Sequence, residues 1–401
     1  MRVRPMLLKA GGVFVLLVLA SCTLSGCWDR IEVNDLATIT AVGIDQYSDN
    51  LIELSLQIYT PPQGSSISMQ GGGSKGSSSQ NQSTVISATG INFADAVSKV
   101  QEKVPRLLFW GQNEVFVFSH SAAKQDIAGH MDYILRVPQI RGSALVFVSR
   151  TKAKDVLALT PQLRSSSADV LEEVSNLKIG LAMSAGNFNI MLSSSKGTAI
   201  MPSIEIMPAP EGQPQKRYPA ITGCAVFKDS KLAGYIDDNI TRGVMWFRNE
   251  IDMATATIVT EDQGGIISAR LNRGRTRLKP RISNGIWEMT VGIDTREILV
   301  QNTSNTDVAE LKGTRIVEEG LKQEIEKRMN RTLQIVQKKF EADVFGFAEA
   351  FHRKYPKIWN KEKGNWEEIF PHVQVKYDIK TVIVNPGKRT VPTNRMEGEK
   401  G

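Results

Sequence analysis

An apolar run from Val13 to Ala20 follows a basic leader (Arg2, Arg4, Lys9) and leads into Leu24-Ser25-Gly26-Cys27. A basic segment, a short apolar segment and a small-residue site have the form of a secretory signal peptide. A cysteine at the cleavage point has the form of a bacterial lipoprotein signal occupying residues 1–26. Cys27 then heads the exported chain and carries S-diacylglycerol and an N-acyl lipid. Only a thiol suits this chemistry, because its thiolate is readily alkylated. Each buried acyl methylene contributes about 0.8 kcal/mol, so one chain holds weakly and several hold firmly. Cys22, behind Leu19-Ala20-Ser21, competes, but it truncates the apolar run, and Cys27 is favoured. An uncleaved anchor helix is the alternative, and the apolar run is short for about 30 Å of hydrocarbon.

This leader limits how the rest can be held together. The chain has 401 residues and three cysteines, Cys22, Cys27 and Cys224. With the first two in the leader and anchor, one thiol remains and no internal disulfide can form. Stability must come from apolar burial, and a chain of this length supports two or three domains. Cys224 sits in the apolar stretch Gly223-Cys224-Ala225-Val226-Phe227 and reads as a buried, inert thiol. The net charge of +7 suits an anionic neighbour such as a bilayer surface. No second apolar segment is long enough to span a membrane.

Strands are expected at Leu36 to Ile44 and Leu51 to Thr60, with a turn at Tyr47-Ser48-Asp49-Asn50. Residues 61–83 are rich in Gly, Ser and Gln and read as a flexible loop. A strand follows from Thr84, then a helix from Phe93 to Val104 capped by Asn92, with Phe93, Ala96, Val97 and Val100 on one face. Glu114 to Phe118 and Ala144 to Val148 read as buried strands, separated by one helix from Ala122 to Leu135. Helices are expected at Thr151 to Leu159 and Ala168 to Leu177. This order defines an α+β or mixed α/β fold.

Residues 27–200 are therefore read as an N-terminal α/β domain. A Pro-rich linker is placed at 201–219, and an α+β region of one or two subdomains at 220–386. The second region should hold strands at Ala254 to Thr260, Ile266 to Leu271 and Ile286 to Ile293. A long amphipathic helix carries the stripe Val317, Leu321, Ile325, Met329, Leu333, Val336, Phe340 and Val344, with Asp307 and Glu310 forming a capping box. A terminal strand from Val373 alternates, with Val375, Tyr377 and Ile379 on one face. Residues 387–401 read as a disordered tail.

Catalytic signatures are missing. The histidines, His120, His130, His352 and His372, show no metal-ligand spacing, so no zinc or other metal site is expected. There is no Walker loop, dinucleotide fingerprint or nucleophile elbow. Gly71-Gly72-Gly73-Ser74-Lys75-Gly76 lacks the spacing of a phosphate loop. Asp237-Asp238 reads as a helix cap or solvated turn before it reads as a cation site.

One charge pattern carries a functional hypothesis. Arg273, Arg275, Arg277, Lys279 and Arg281 occupy every second position. In a strand all five share a face. Such a face could rest on anionic headgroups, each cation contributing about 1 kcal/mol, or it could belong to a solvent-facing hairpin. No aromatic residues are interleaved, which disfavours nucleic acid.

Several motifs together resemble the Ger(x)C family, the lipoprotein C subunits of spore nutrient-germinant receptors. They begin with Gly26-Cys27-Trp28-Asp29-Arg30-Ile31-Glu32 and Ala41-Val42-Gly43-Ile44-Asp45. Pro105-Arg106-Leu107-Leu108-Phe109-Trp110-Gly111-Gln112, Leu135-Arg136 and Arg141 follow. Thr222-Gly223-Cys224-Ala225-Val226-Phe227-Lys228, then Lys231-Leu232-Ala233-Gly234, Gly243 and Trp246, continue the pattern. Gln337, Asp343, Phe345-Gly346-Phe347, Pro356, Trp359 and Trp366 close it.

The resemblance implies a non-enzymatic subunit with no cofactor beyond the lipid on Cys27. It implies a place on the outer face of the spore inner membrane. It also implies two integral-membrane partners, an A-type subunit and a transporter-like B-type subunit. No catalytic residue carries over. Two other classes stay in view: a substrate-binding lipoprotein feeding a transporter, and an exported cell-wall hydrolase with paired carboxylates.

Overall fold

A computed structural model describes residues 32–60, 83–161, 166–194, 197–208, 217–259 and 265–385. The leader with Cys22 and Cys27, the loop at 61–82, part of the Pro-rich linker and the tail lie outside the described residues.

Strands β1 (Leu36–Ser48) and β2 (Leu51–Tyr59) form an antiparallel hairpin at the expected place, and β3 (Ser83–Gly90) pairs beside β2. Helix α1 (Phe93–Gln101) follows. Asn92 caps it, accepting from the Asp95 amide at 2.9 Å, and Phe93, Ala96 and Val100 are buried. Strands β4 (Leu107–Phe109) and β5 (Val115–Ser119) both lie parallel to β1.

The helix expected from Ala122 to Leu135 is two helices, α2 (His120–Ala123) and α3 (Ala128–Arg136). Local caps divide it: Ser119 Oγ accepts from the Ala122 amide, and Asp126 Oδ1 accepts from the Ala128 amide. The Ile127 amide is diverted to the Ser230 carbonyl at 3.0 Å, which prevents a continuous ladder.

Strand β6 (Leu145–Ser149), α4 (Ala153–Leu157), α5 (Ser167–Asn176), α6 (Ala185–Ser194) and β7 (Ala199–Met207) continue the chain. Next come β8 (Tyr218–Lys228) and β9 (Lys231–Asp237). Among the described residues, nine strands make one sheet: β3-β2-β1-β5-β6-β7-β8-β9, with β4 beside β1. The centre is parallel and the flanks are antiparallel. Helices cover both faces, so the central strand Val115-Phe116-Val117-Phe118 is apolar at every position.

The first strands of the region expected from residue 220 extend the first sheet. β7 and β8 pair across the Pro-rich segment, so β8 and β9 belong to the first sheet. Pro202 and Pro219 lie inside strands, so these two prolines mark strand positions and not linker.

Helix α7 (Asp238–Arg248) leads to the second sheet, β10 (Thr255–Val259), β11 (Ile266–Ser283), β12 (Ile286–Asn302) and later β13 (Gln374–Asn385). Its strands run antiparallel except for the parallel pair β12–β13. β11 extends well past its expected end at Leu271. A bulge between Leu271 and Arg273 resets its side-chain alternation.

Helix α8 (Leu311–Thr332) covers the inner face through Val317, Leu321, Ile325 and Met329. Its capping box does not form: Glu310 makes no side-chain cap, and Asp307 bonds the Ala309 amide instead. The helix passes into a π-helical turn, Leu333–Lys339, and ends there, so Val344 lies beyond it. The wider turn places both Val336 and Gln337 on the buried side. The short helices α9 (Phe347–Lys354), α10 (Pro356–Glu362) and α11 (Trp366–Ile369) precede β13.

One buried carboxyl costs this second core stability. Glu297 on β12 is 3% exposed, and burial pushes its pKa up to about 7. The unfolded chain releases that proton near 4.5, so between about pH 4.5 and 7 the folded state holds more protons. Stability therefore falls as pH rises across that window, by up to roughly 3 kcal/mol at 1.36 per unit. Glu297→Gln is expected to raise the melting temperature at pH 8 and leave it nearly unchanged at pH 4.5, as read by calorimetry.

Candidate functional site

Strand β11 carries the basic run, and its alternation puts Arg273, Arg275, Arg277, Lys279 and Arg281 on one exposed face. The β11–β12 hairpin closes at Asn284-Gly285, both at positive φ, as a tight two-residue turn requires. The register then adds charges that no local pattern marks. Arg296 lies opposite Arg273, and Lys376 and Lys380 of β13 stand beside Thr290 and Asp294.

Three carboxylates lie among these cations. Asp294 pairs with Arg277, Glu288 with Lys376 at 2.8 Å, and Asp378 with Lys279 at 3.9 Å. Lys376 holds the Glu288 carboxyl below its ordinary range. Arg273, Arg275 and Arg296 have no ion-pair partner among the described residues. Eight cations thus face three carboxylates on the face of the sheet that no described element covers.

The residues that carry the family resemblance are mostly structural. Asp45 caps α4, accepting from the Ala153 and Lys154 amides at 2.8 and 3.0 Å. Trp110 and Tyr133 gather around Phe93. Gly223, at φ 146°, leaves no room for a side chain beside the β9 backbone. Cys224 is buried, as expected, and burial pushes its thiol up to about 12. Asp237 caps α7 through the Ile240 amide at 2.8 Å, and Asp238 pairs with Arg242.

The closing motif forms a ring cluster around one acid. Asp343 accepts from the Phe347 amide at 3.1 Å, the Ala348 amide at 2.7 Å and the Trp366 indole at 3.1 Å. Burial pushes its carboxyl up, and hydrogen bonds from Ala348, Phe347, Trp366 and Phe345 pull it back only in part. Phe345, Phe347, Phe370, Trp366 and Trp359 contact one another around it. Gln337 donates to the Phe370 and Val373 carbonyls at 2.8 and 2.9 Å, joining the π-turn to the start of β13.

Beside this cluster lies a cavity of about 330 Å³, lined by Ser193, Thr198, Glu341, Lys363, Trp359 and Trp366 among others. Its walls come from α6 and from the C-terminal helices, so no contiguous motif announces it. Among the described residues, no group of three His, Cys, Asp or Glu side chains converges as a metal site. Cys27 lies outside the described residues, which begin five positions later at Glu32.

Comparison with known proteins assigns a class to this arrangement. Residues 29–206 match the family described as "Spore germination protein N-terminal domain". Residues 222–387 match the one described as "Spore germination B3/GerAC like, C-terminal". The chain belongs to the Ger(x)C family of spore germination proteins.

It is 27% identical over 402 residues to spore germination protein KC of Bacillus subtilis (strain 168), covering 94% of this chain and 96% of that protein. Spore germination protein B3 of the same organism is 22% identical over 392 residues, covering 95% and 99%. The crystal structure of the GerBC protein aligns with a TM-score of 0.55 at 20% identity. It covers 86% of this chain and 97% of that one, which shows a shared α+β fold. The chain is a non-enzymatic family member.

The acid at the centre of the ring cluster supplies a structural test. Asp343→Ala leaves three buried donors without an acceptor, at about 1–3 kcal/mol each. The variant is expected to lose roughly 3 kcal/mol or more of stability. Its tryptophan emission should shift to the red under native conditions, as the rings around Trp366 become wet.

Proposed function

We propose that the chain is the lipid-anchored, non-catalytic subunit of a spore nutrient-germinant receptor. In this reading Cys27 bears the lipid on the outer face of the spore inner membrane. The body works there through contact with an A-type and a transporter-like B-type membrane subunit. The response to nutrients that starts germination requires it. Family membership across nearly the whole described chain is the observation that carries the reading.

Two further facts support it. Cys27 lies five positions before Glu32, so even a fully extended chain puts a lipid there within about 18 Å of Glu32. No described helix is long and apolar enough to cross a membrane, so a covalent lipid gives the body a means of attachment. Attachment confines it to the plane of its partners and raises their effective concentration, so weak contacts suffice.

Cys27→Ala is expected to abolish acylation, release the folded body from the membrane and abolish the germination response. Mass spectrometry of the amino-terminal peptide and fractionation of spore membranes measure this. A variant still membrane-bound after high-salt washing contradicts the anchor.

A second reading, direct binding of a small nutrient, rests on the cavity beside Trp359 and Trp366, which carries both Glu341 and Lys363. Calorimetric titration with candidate nutrients separates the two, and tight binding favours the second.

A further inference from the structure

We infer that the outer face of the second sheet is the surface on which the body meets anionic, phosphate-bearing lipid headgroups. The inference rests on the membrane-attached reading above and names the face that attachment brings to the bilayer.

The sheet has two unlike faces. Its inner face is covered by α8, α7 and α9, with Met289, Val291, Ile293 and Ile379 buried against them. Its outer face has no covering element among the described residues: the five β11 cations, Arg296, Lys376 and Lys380 are all exposed there. The β11 stripe runs about 26 Å at 3.3 Å per residue, and three neighbouring strands widen it to about 10 Å. This is a cationic plate and not a spot.

The chemistry of the plate suits phosphate. Five of the eight cations are arginine, whose planar donor fork matches phosphate oxygens in pairs. Arg273 and Arg275 adjoin Arg296, and none of the three has an ion-pair partner among the described residues. Asp294 stands opposite Arg275 and pairs with Arg277, while Asp378 and Glu288 partly neutralise the stripe toward the hairpin. The net positive field is therefore strongest where Arg273 faces Arg296, with Arg275 next along the stripe.

The same inventory argues against a protein partner. Protein interfaces are enriched in aromatic residues and methionine and depleted in lysine. The outward positions paired across β11, β12 and β13 hold no aromatic residue and no methionine. Gly292 and Thr290 lie at the centre, where an anchoring side chain or its pocket would be expected. Attraction to headgroups decays within about 8 Å at physiological salt, so it needs a body held close. The lipid proposed on Cys27 would keep the body within reach of the headgroups.

The test uses the full-length protein as processed by the cell. It is floated with phosphatidylcholine vesicles and with vesicles that also contain phosphatidylglycerol, over a salt series. A lipid anchor adheres to both compositions, so the difference between them isolates the face. The expected result is a preference for the anionic vesicles that fades as salt rises. Arg273→Gln combined with Arg275→Gln should cut that preference on the order of tenfold at low salt. Lys99→Gln combined with Arg136→Gln removes the same charge from helix surfaces elsewhere and should leave it intact.

Equal binding to both compositions supports the anchor and overturns the inference. Binding only to anionic vesicles contradicts the anchor and supports the inference. An equal loss in both double variants reduces the effect to net charge and overturns it. Loss of germination in the Arg273/Arg275 variant with its lipid preference unchanged assigns the face to an acidic protein, and that also overturns it.

Discussion

Gly243 has no side chain, and Thr332 occupies the place where one would be: an added Cβ would lie 2.9 Å from the Thr332 Cβ. This is where α7 and α8 touch. The Thr332 hydroxyl sits 3.0 Å from the Arg328 carbonyl of its own helix and 3.4 Å from the Ile240 carbonyl of α7. Because the helices approach this closely, Val244, Trp246 and Phe247 on one side share a core with Met329, Leu333 and Val336 on the other. That core is continuous from Ile44 in the first sheet to Val291 in the second. Removing such contacts costs several kcal/mol, which is much of what a folded chain has to spare.

The consequence is mechanical. Two sheets joined by a mobile linker could turn independently, and a charged face on one would have no fixed orientation relative to the other. α7 removes that freedom. Asp237 and Asn249 cap its ends, Asn249 accepts the Thr276 amide of β11 at 2.5 Å, and Arg248 reaches the Val344 carbonyl at 3.0 Å. The helix is thus tied to the first sheet, the second sheet and the ring cluster at once. A body of this kind presents its surfaces at set angles, which suits a subunit that acts through contacts.

Much of this was legible in the sequence where the signal was local. Asn92 before Phe93 announced α1, and the alternation of arginines in β11 announced its exposed face, because both patterns are complete within a few residues. The stripe from Val317 to Val336 announced α8. Long-range pairing left no such mark. Pro202 and Pro219 read as linker because proline rarely sits in strands, yet the β7–β8 register accommodates both. The single helix that apolar periodicity suggests at 122–135 is divided because Ser119 and Asp126 compete for its backbone amides. Arg296, Lys376 and Lys380 joined the basic face only through register. The resemblance marked Asp343 without revealing that its role is to accept three buried donors.

The central claim is that one core, closed at the α7–α8 contact, holds both sheets, and denaturation of the Gly243→Val variant tests it most directly. Maleimide labelling at the Cys224 peptide reports opening of the first sheet, and fluorescence from Trp287 and Trp366, in a background with Trp28, Trp110, Trp246 and Trp359 replaced by phenylalanine, reports the second. A shared core predicts that valine lowers both midpoints together, with the two probes coincident in wild type and variant. A Cys224 that stays protected while the tryptophans become exposed contradicts it.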